Sequence, residues 1–259
     1  MIEIKDLYKK FGPLEVMKGL NLTINTGETL VVVGKSGVGK SVLLKHILGL
    51  TAPDKGTVVV DGTQITGLYG EKLYRAIKPM GMLFQGAALF DSMNIEENTA
   101  FSLKQHGDPI TGKRYSRQEI KDRVAQALEM VGLGGTQDKM PSDLSGGMKK
   151  RAGLARLIVY RPSYLLYDEP TTGLDPVTAM QINELILQTQ RELKATSIVV
   201  THDIVSALVV GDRLALIENG RVLVLETPEV FLEIDHPTIT ALKEIVAGDP
   251  SIFRRKKYE

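Results

Sequence analysis

The stretch Gly34-Lys35-Ser36-Gly37-Val38-Gly39-Lys40-Ser41 constrains this chain most, because it lies between an apolar run, Thr29 to Val33, and a helical pattern beginning at Ser41. Two glycines with four residues between them, followed by Lys and a hydroxyl, match a phosphate-cradling pattern that has meaning only between a strand and a helix. Glycines let backbone N–H groups wrap a polyphosphate, and the following helix offers its positive end. The ammonium of Lys40 suits the outer phosphates, and the hydroxyl of Ser41 suits a magnesium ion bridging them.

A chain of 259 residues, 43% of them hydrophobic, has material for one large α/β core or two modest domains. Its 32 basic and 31 acidic residues are interspersed and leave a net charge of +1, so bulk electrostatics give no support to a nucleic-acid partner. The one basic cluster, Arg254-Arg255-Lys256-Lys257, reads either as a solvated tail or as a contact for acidic lipid or an acidic partner. Cysteine is absent, which excludes disulfides and thiolate metal sites and is compatible with a reducing cytoplasm. The start, Met1 to Asp6, does not read as a signal peptide, and no apolar run approaches the roughly 18 residues of a membrane-spanning helix. A role at a membrane therefore requires another subunit to supply the spanning part.

Residues 2–8 and 16–24 alternate as strands, with Lys9 to Pro13 as a turn. Phe11 in that turn either stacks on a flat ligand such as adenine or covers a small β core. After the phosphate loop, Val42, Leu43, His46, Ile47 and Leu50 fall at helical spacing, which assigns His46 to a helix surface or core edge. Thr57 to Ile65 holds two β runs about Asp61-Gly62, a strong hairpin signal. Met80 to Phe84 reads as a buried strand that delivers the Gln85 amide to its carboxyl end, where α/β sheets place ligands. The apolar run Ala87 to Phe90 follows. From about 94 to 160 the pattern is helical, with a capping box at Ser116 and Glu119 and a helix stop at Gly132.

Ser145-Gly146-Gly147 opens another helix, as an ordinary N-cap or as a second anion site. Tyr164 to Tyr167 is a buried strand carrying Asp168-Glu169 at its end. Adjacent carboxylates there are costly to bury without a cation, which assigns Asp168 to magnesium and leaves Glu169 to orient or deprotonate a water attacking a terminal phosphate. Ser197 to Val200 is a further core strand, and His202 after it suits a hydrogen bond to that phosphate. Gly34, Gln85, Asp168 and His202 are thus expected at one sheet edge. A last hairpin turns at Asn219-Gly220, and the rest reads as helical to about 246.

Taken together and in order, these motifs resemble the ATPase subunits of ABC transporters, from Phe11 to about Asp235. The resemblance implies an α/β P-loop fold with a RecA-like core sheet, an antiparallel β subdomain and a helical subdomain inserted at about 88–160. The ATPase domain would span 1–240, with a helix end and basic tail at 241–259. Phe11 matches the adenine-stacking aromatic, Gly34 to Ser41 the Walker A loop and Gln85 the Q-loop glutamine. Leu144 to Gly147 matches the signature, Tyr164 to Asp168 the Walker B strand, Glu169 the catalytic carboxylate and His202 the switch histidine. Gly173-Leu174-Asp175 resembles the D-loop.

The resemblance implies ATP and Mg2+ as ligands, with Ser41, Gln85 and Asp168 around the ion and Lys40, Gln85, Glu169 and His202 in catalysis. Ser145, Gly146 and Gly147 would bind the γ-phosphate held by a second copy, so that a head-to-tail dimer closes over two ATP molecules. Met148 departs from the usual signature glutamine. Within the family, residues 80–94 and 140–148 closely resemble the Mla-type ATPases, which move phospholipid through a permease and an MCE-domain lipid-binding protein. That implies a peripheral place on the cytoplasmic face of the inner membrane, with Ala87 to Phe90 either docking the permease or lying in the helical core. Other cargoes, or a soluble ABC-type factor, are the competing readings.

Overall fold

A computed structural model describes residues 1–108 and 111–247, so the basic cluster at 254–257 lies outside the described residues. The described chain packs as two compact units, one formed by Met1–Ile77 with residues 196–247, the other by Lys78–Ala195.

The first unit begins with β1 (Ile2–Phe11) and β2 (Leu14–Ile24), then β3 (Thr29–Val33), α1 (Lys40–Ile47), β4 (Lys55–Val60), β5 (Thr63–Gln64) and α2 (Gly70–Ile77). Strands β2, β1, β4 and β5 form an antiparallel sheet in that order. One face is apolar by alternation: Ile2, Ile4, Leu20, Leu22 and Ile24 are all buried. Only Gly12 and Pro13 separate β1 from β2, and pairing therefore continues to Phe11 opposite Leu14. Phe11 thus ends a strand, where the sequence suggested a loop. Asp61 and Gly62 join β4 to β5 with φ of 47° and 78°, the left-handed pair that a two-residue hairpin demands.

The second unit holds β6 (Met80–Leu83), α3 (Ile95–His106), α4 (Arg117–Met130), α5 (Gly146–Ile158), β7 (Tyr164–Asp168) and α6 (Pro176–Leu193). β6 and β7 pair in parallel, Met80 opposite Tyr164, and every residue of β7 is buried. β6 stops at Leu83, which leaves Phe84 39% exposed beyond the strand. Helix α4 starts at the capping box foreseen at Ser116 and Glu119, buries Val124, Ala127 and Leu128, and is followed by Gly132 at φ 66°. A second box, Asn94 with Glu97, opens α3 and escaped the sequence reading. The run Ala87 to Phe90 divides: Ala87 is 2% exposed and Phe90 is 40% exposed, its ring 4.8 Å from that of Phe101.

The chain then returns to the first unit as β8 (Thr196–Thr201), α7 (Ile204–Val210), β9 (Arg213–Glu218), β10 (Arg221–Glu226), α8 (Pro228–Glu233) and α9 (Pro237–Ala247). β3 is flanked by parallel β8 and β9, and antiparallel β10 lies outside β9. β3 and β8 are buried along their whole lengths, as strands covered on both faces must be, and both are rich in Val, Ile and Thr. The β9–β10 hairpin turns at Asn219 and Gly220, with φ of 51° and 75°. His46 is 2% exposed rather than on a helix surface; its Nδ1 lies 2.7 Å from the carbonyl oxygen of Thr51.

Candidate functional site

In the first unit the parallel register sets Val33 opposite Thr201, so Gly34 and His202 leave the sheet from neighbouring strand ends. The loop between β3 and α1 runs tightly over its surroundings. A Cβ on Gly34 would lie 2.6 Å from the carbonyl oxygen of Ile217, and one on Gly39, at φ 103°, would run into Val16. Gly37 also takes a positive φ, 83°, and a Cβ there would meet nothing within 4 Å. Lys40 is 5% exposed, and its ammonium curls back to the carbonyl oxygens of Gly34 at 2.7 Å and Lys35 at 3.2 Å. No side chain caps α1, so the backbone of Gly39 and its neighbours forms the helix entrance.

His202 is exposed, and next to it Asp203 caps α7, accepting from the Val205 amide at 3.0 Å. Gly34, Lys35, Ser36 and His202 line one cavity of about 460 Å³ together with Ile204, Leu216 and the start of α9. Phe11 is 48% exposed, which removes it from the β core, and the ammonium of Lys9 lies 5.3 Å from its ring centre. An exposed ring beside a cation is available for stacking.

In the second unit β7 delivers Asp168 and Glu169 as the sequence suggested, at 8% and 9% exposure. Glu169 takes the left-handed conformation, φ 49°, and its Oε2 accepts from the Thr172 hydroxyl at 3.1 Å. Gln85 is exposed just beyond β6, and its carbonyl oxygen accepts from the ammonium of Lys150. Lys150 is buried, which pushes its pKa below the ordinary lysine value against the opposing pull of Asp168 and Glu169.

Ser145 caps α5, its Oγ accepting from the Met148 amide at 3.3 Å, so the residue that replaces the usual glutamine still contributes its backbone here. Ser145, Gly146 and Gly147 line a cavity of about 350 Å³ with Arg151, Gly173, Leu174, Asp175 and Thr178. A Cβ on Gly147 would lie 2.6 Å from the Thr178 methyl, so the first turns of α5 and α6 approach most closely at this glycine. Asp175 caps α6, and the hydroxyl and amide of Thr178 hold its carboxyl below the usual carboxylate range.

These features fit a polyphosphate and a magnesium ion. A loop of backbone N–H groups and one buried ammonium suits phosphate oxygens. Among the described residues no three His, Cys, Asp or Glu side chains cluster as a metal cage. Ser41 in the first unit and, separately, Gln85 and Asp168 in the second carry oxygen donors of the kind magnesium takes.

A family model described as ABC transporter matches residues 17–172. The chain is 42% identical over 238 residues to the probable ribonucleotide transport ATP-binding protein mkl of Mycobacterium tuberculosis, covering 92% of this chain and 65% of that protein. The chain thus spans less than two thirds of this mycobacterial relative's length. It is 39% identical to the intermembrane phospholipid transport system ATP-binding protein MlaF of Haemophilus influenzae, over 90% of this chain and 86% of that one. The ATP-binding cassette MJ0796, solved as a dimer in a post-hydrolysis state bound to ADP and Pi, superposes with a TM-score of 0.78 at 31% identity, covering 88% of this chain and 99% of that one. On the family match, these identities and the shared P-loop fold, the chain belongs to the ABC transporter family, as its ATP-binding ATPase domain.

Proposed function

We propose that the chain hydrolyses ATP to drive a membrane permease that moves phospholipid between bacterial membranes. The observation that carries the chemistry is the buried pair Asp168–Glu169 at the end of β7, with Glu169 held in a left-handed conformation that an unconstrained glutamate avoids. In this reading the backbone of Gly34, Lys35, Ser36, Gly37, Val38 and Gly39, with Lys40, holds the phosphates, and Phe11 stacks on adenine. Ser41, Gln85 and Asp168 would hold Mg2+, which when bound offsets phosphate charge. Glu169 orients the attacking water and accepts its proton. His202 donates a hydrogen bond to the terminal phosphate.

Ser145, Gly146 and Gly147 cover the nucleotide of a second copy, so two chains pair head to tail on ATP and separate after hydrolysis. MJ0796 is dimeric in its own structure, bound to ADP and Pi, which supports pairing of two chains here. Residues 1–240 act as the ATPase domain, with about 88–160 as its helical subdomain. No helix among the described residues is long and apolar enough to cross a membrane. In this reading the chain sits on the cytoplasmic face of the inner membrane through its permease, with an MCE-domain protein as a further partner.

The similarity to MlaF favours phospholipid as cargo. The similarity to mkl, named for ribonucleotide transport, favours a second reading in which the same ATPase serves another cargo. Extraction from native membranes in mild detergent, followed by identification of what accompanies the chain, separates them. A permease with an MCE-domain companion supports lipid; a periplasmic solute-binding protein supports the alternative. Phe90, exposed beside Arg156, is the proposed permease contact. Phe90→Asp should lose the permease on purification and lose coupled transport, and retention of both would remove that contact.

A further inference from the structure

Lys150 lies on α5, five residues after the Ser145 cap, and is 6% exposed. Burying an ammonium inside a helical unit is unfavourable unless its donors are met. Here they reach two backbone carbonyls from distant parts of the chain: Gln85, at the end of β6, and Glu169, at the end of β7, the latter at 3.2 Å.

Both acceptors belong to residues that the proposed function places at the nucleotide. Glu169 is also strained, and a left-handed glutamate persists only where its surroundings hold it. Two contacts fix it from opposite ends: the Thr172 hydroxyl on the carboxylate at 3.1 Å, and Lys150 on the carbonyl. The same face of α5 continues the grip at three-residue steps. A Cβ on Gly153 would come within 3.0 Å of the Ala87 Cβ. Arg156 donates to the carbonyl oxygens of Ala88 at 2.6 Å and Ala87 at 3.4 Å, and these two alanines take φ of 50° and 61°. One helix face thus clasps Gln85 to Ala88, and Lys150 alone among these three residues also reaches Glu169.

We propose that Lys150 is a positioning residue for hydrolysis, holding Gln85 and Glu169 in one fixed arrangement and tying both to the helix that opens with Ser145-Gly146-Gly147. The inference rests on the reading of Glu169 as the group that handles the attacking water. Displacement of such a group by about 1 Å can cost on the order of a hundredfold in rate without loss of substrate binding.

The test uses the full chain and steady-state ATP hydrolysis, with affinity for a non-hydrolysable ATP analogue and thermal melting measured in parallel. Lys150→Met should lower kcat by about tenfold or more, leaving KM and analogue affinity within about threefold. Lys150→Gln, one atom shorter but still a donor, should fall between Met and wild type. A purely structural lysine predicts a lower melting temperature with kcat of the folded protein intact, and that result in Lys150→Met overturns the proposal. If Lys150→Met does not fold, Lys150→Gln decides: reduced kcat at unchanged KM supports the proposal, and wild-type kcat contradicts it. Wild-type turnover by Glu169→Gln, measured alongside, would instead remove the reading beneath the inference.

Discussion

Lys40 donates from its ammonium to the carbonyl oxygen of Gly34, 2.7 Å away across the loop that joins β3 to α1. The charge is thus stored inside the loop whose N–H groups are proposed to meet the phosphates. Hydrogen bonds to charged groups contribute about 1.5–3 kcal/mol, so Lys40→Ala should weaken ATP binding or turnover by roughly ten- to a hundredfold. Nucleotide titration and phosphate release check this, and wild-type kinetics in the variant would refute the assignment of the loop.

Phe11 gives a second, separable effect. Base stacking on an aromatic is worth about 1–3 kcal/mol, so Phe11→Ala should weaken ATP affinity by roughly five- to a hundredfold. The ring takes no part in the chemistry, and kcat at saturating ATP should be unchanged. Equal affinity in both proteins would leave Phe11 as an ordinary exposed residue.

His46 makes stability depend on pH. Burial lowers its pKa in the fold, with Lys9 adding to that and the Thr51 carbonyl and Asp54 opposing it. The unfolded chain then binds the proton more readily, so this contribution is intact above the ordinary value of 6.5. Stability is lost as pH falls from there towards the lower folded value, at no more than about 1.4 kcal/mol per pH unit. Denaturant melts at pH 7.5 and 5.5 should show a smaller loss for His46→Gln than for the wild type. Identical losses would contradict the account.

Much of this architecture was legible in the sequence because the signals are local. Asp61-Gly62 and Asn219-Gly220 impose their turns through backbone conformations that few residues accept, and Ser116 with Glu119 satisfies its own helix start. The loop from Gly34 to Ser41 is likewise a contiguous pattern. Lys150 and Arg156 carry no such signal: in sequence they are ordinary basic residues of an amphipathic helix. The burial of Lys150 and the carbonyl partners of both residues involve segments 65 and 68 residues away. The left-handed conformation of Glu169 was equally hidden, because glutamate has no local preference for it. Phe11 was misplaced for a related reason, since the extent of β1 is decided by its pairing with Leu14 across the turn.

The most direct test is the oligomeric state and turnover of Glu169→Gln with ATP and Mg2+, by analytical ultracentrifugation and phosphate release. The account predicts retained nucleotide binding, negligible release and an ATP-bound dimer that persists, while the wild type hydrolyses and returns to monomer. Normal phosphate release by the variant, or a wild-type chain that neither binds ATP nor pairs with itself, would contradict it.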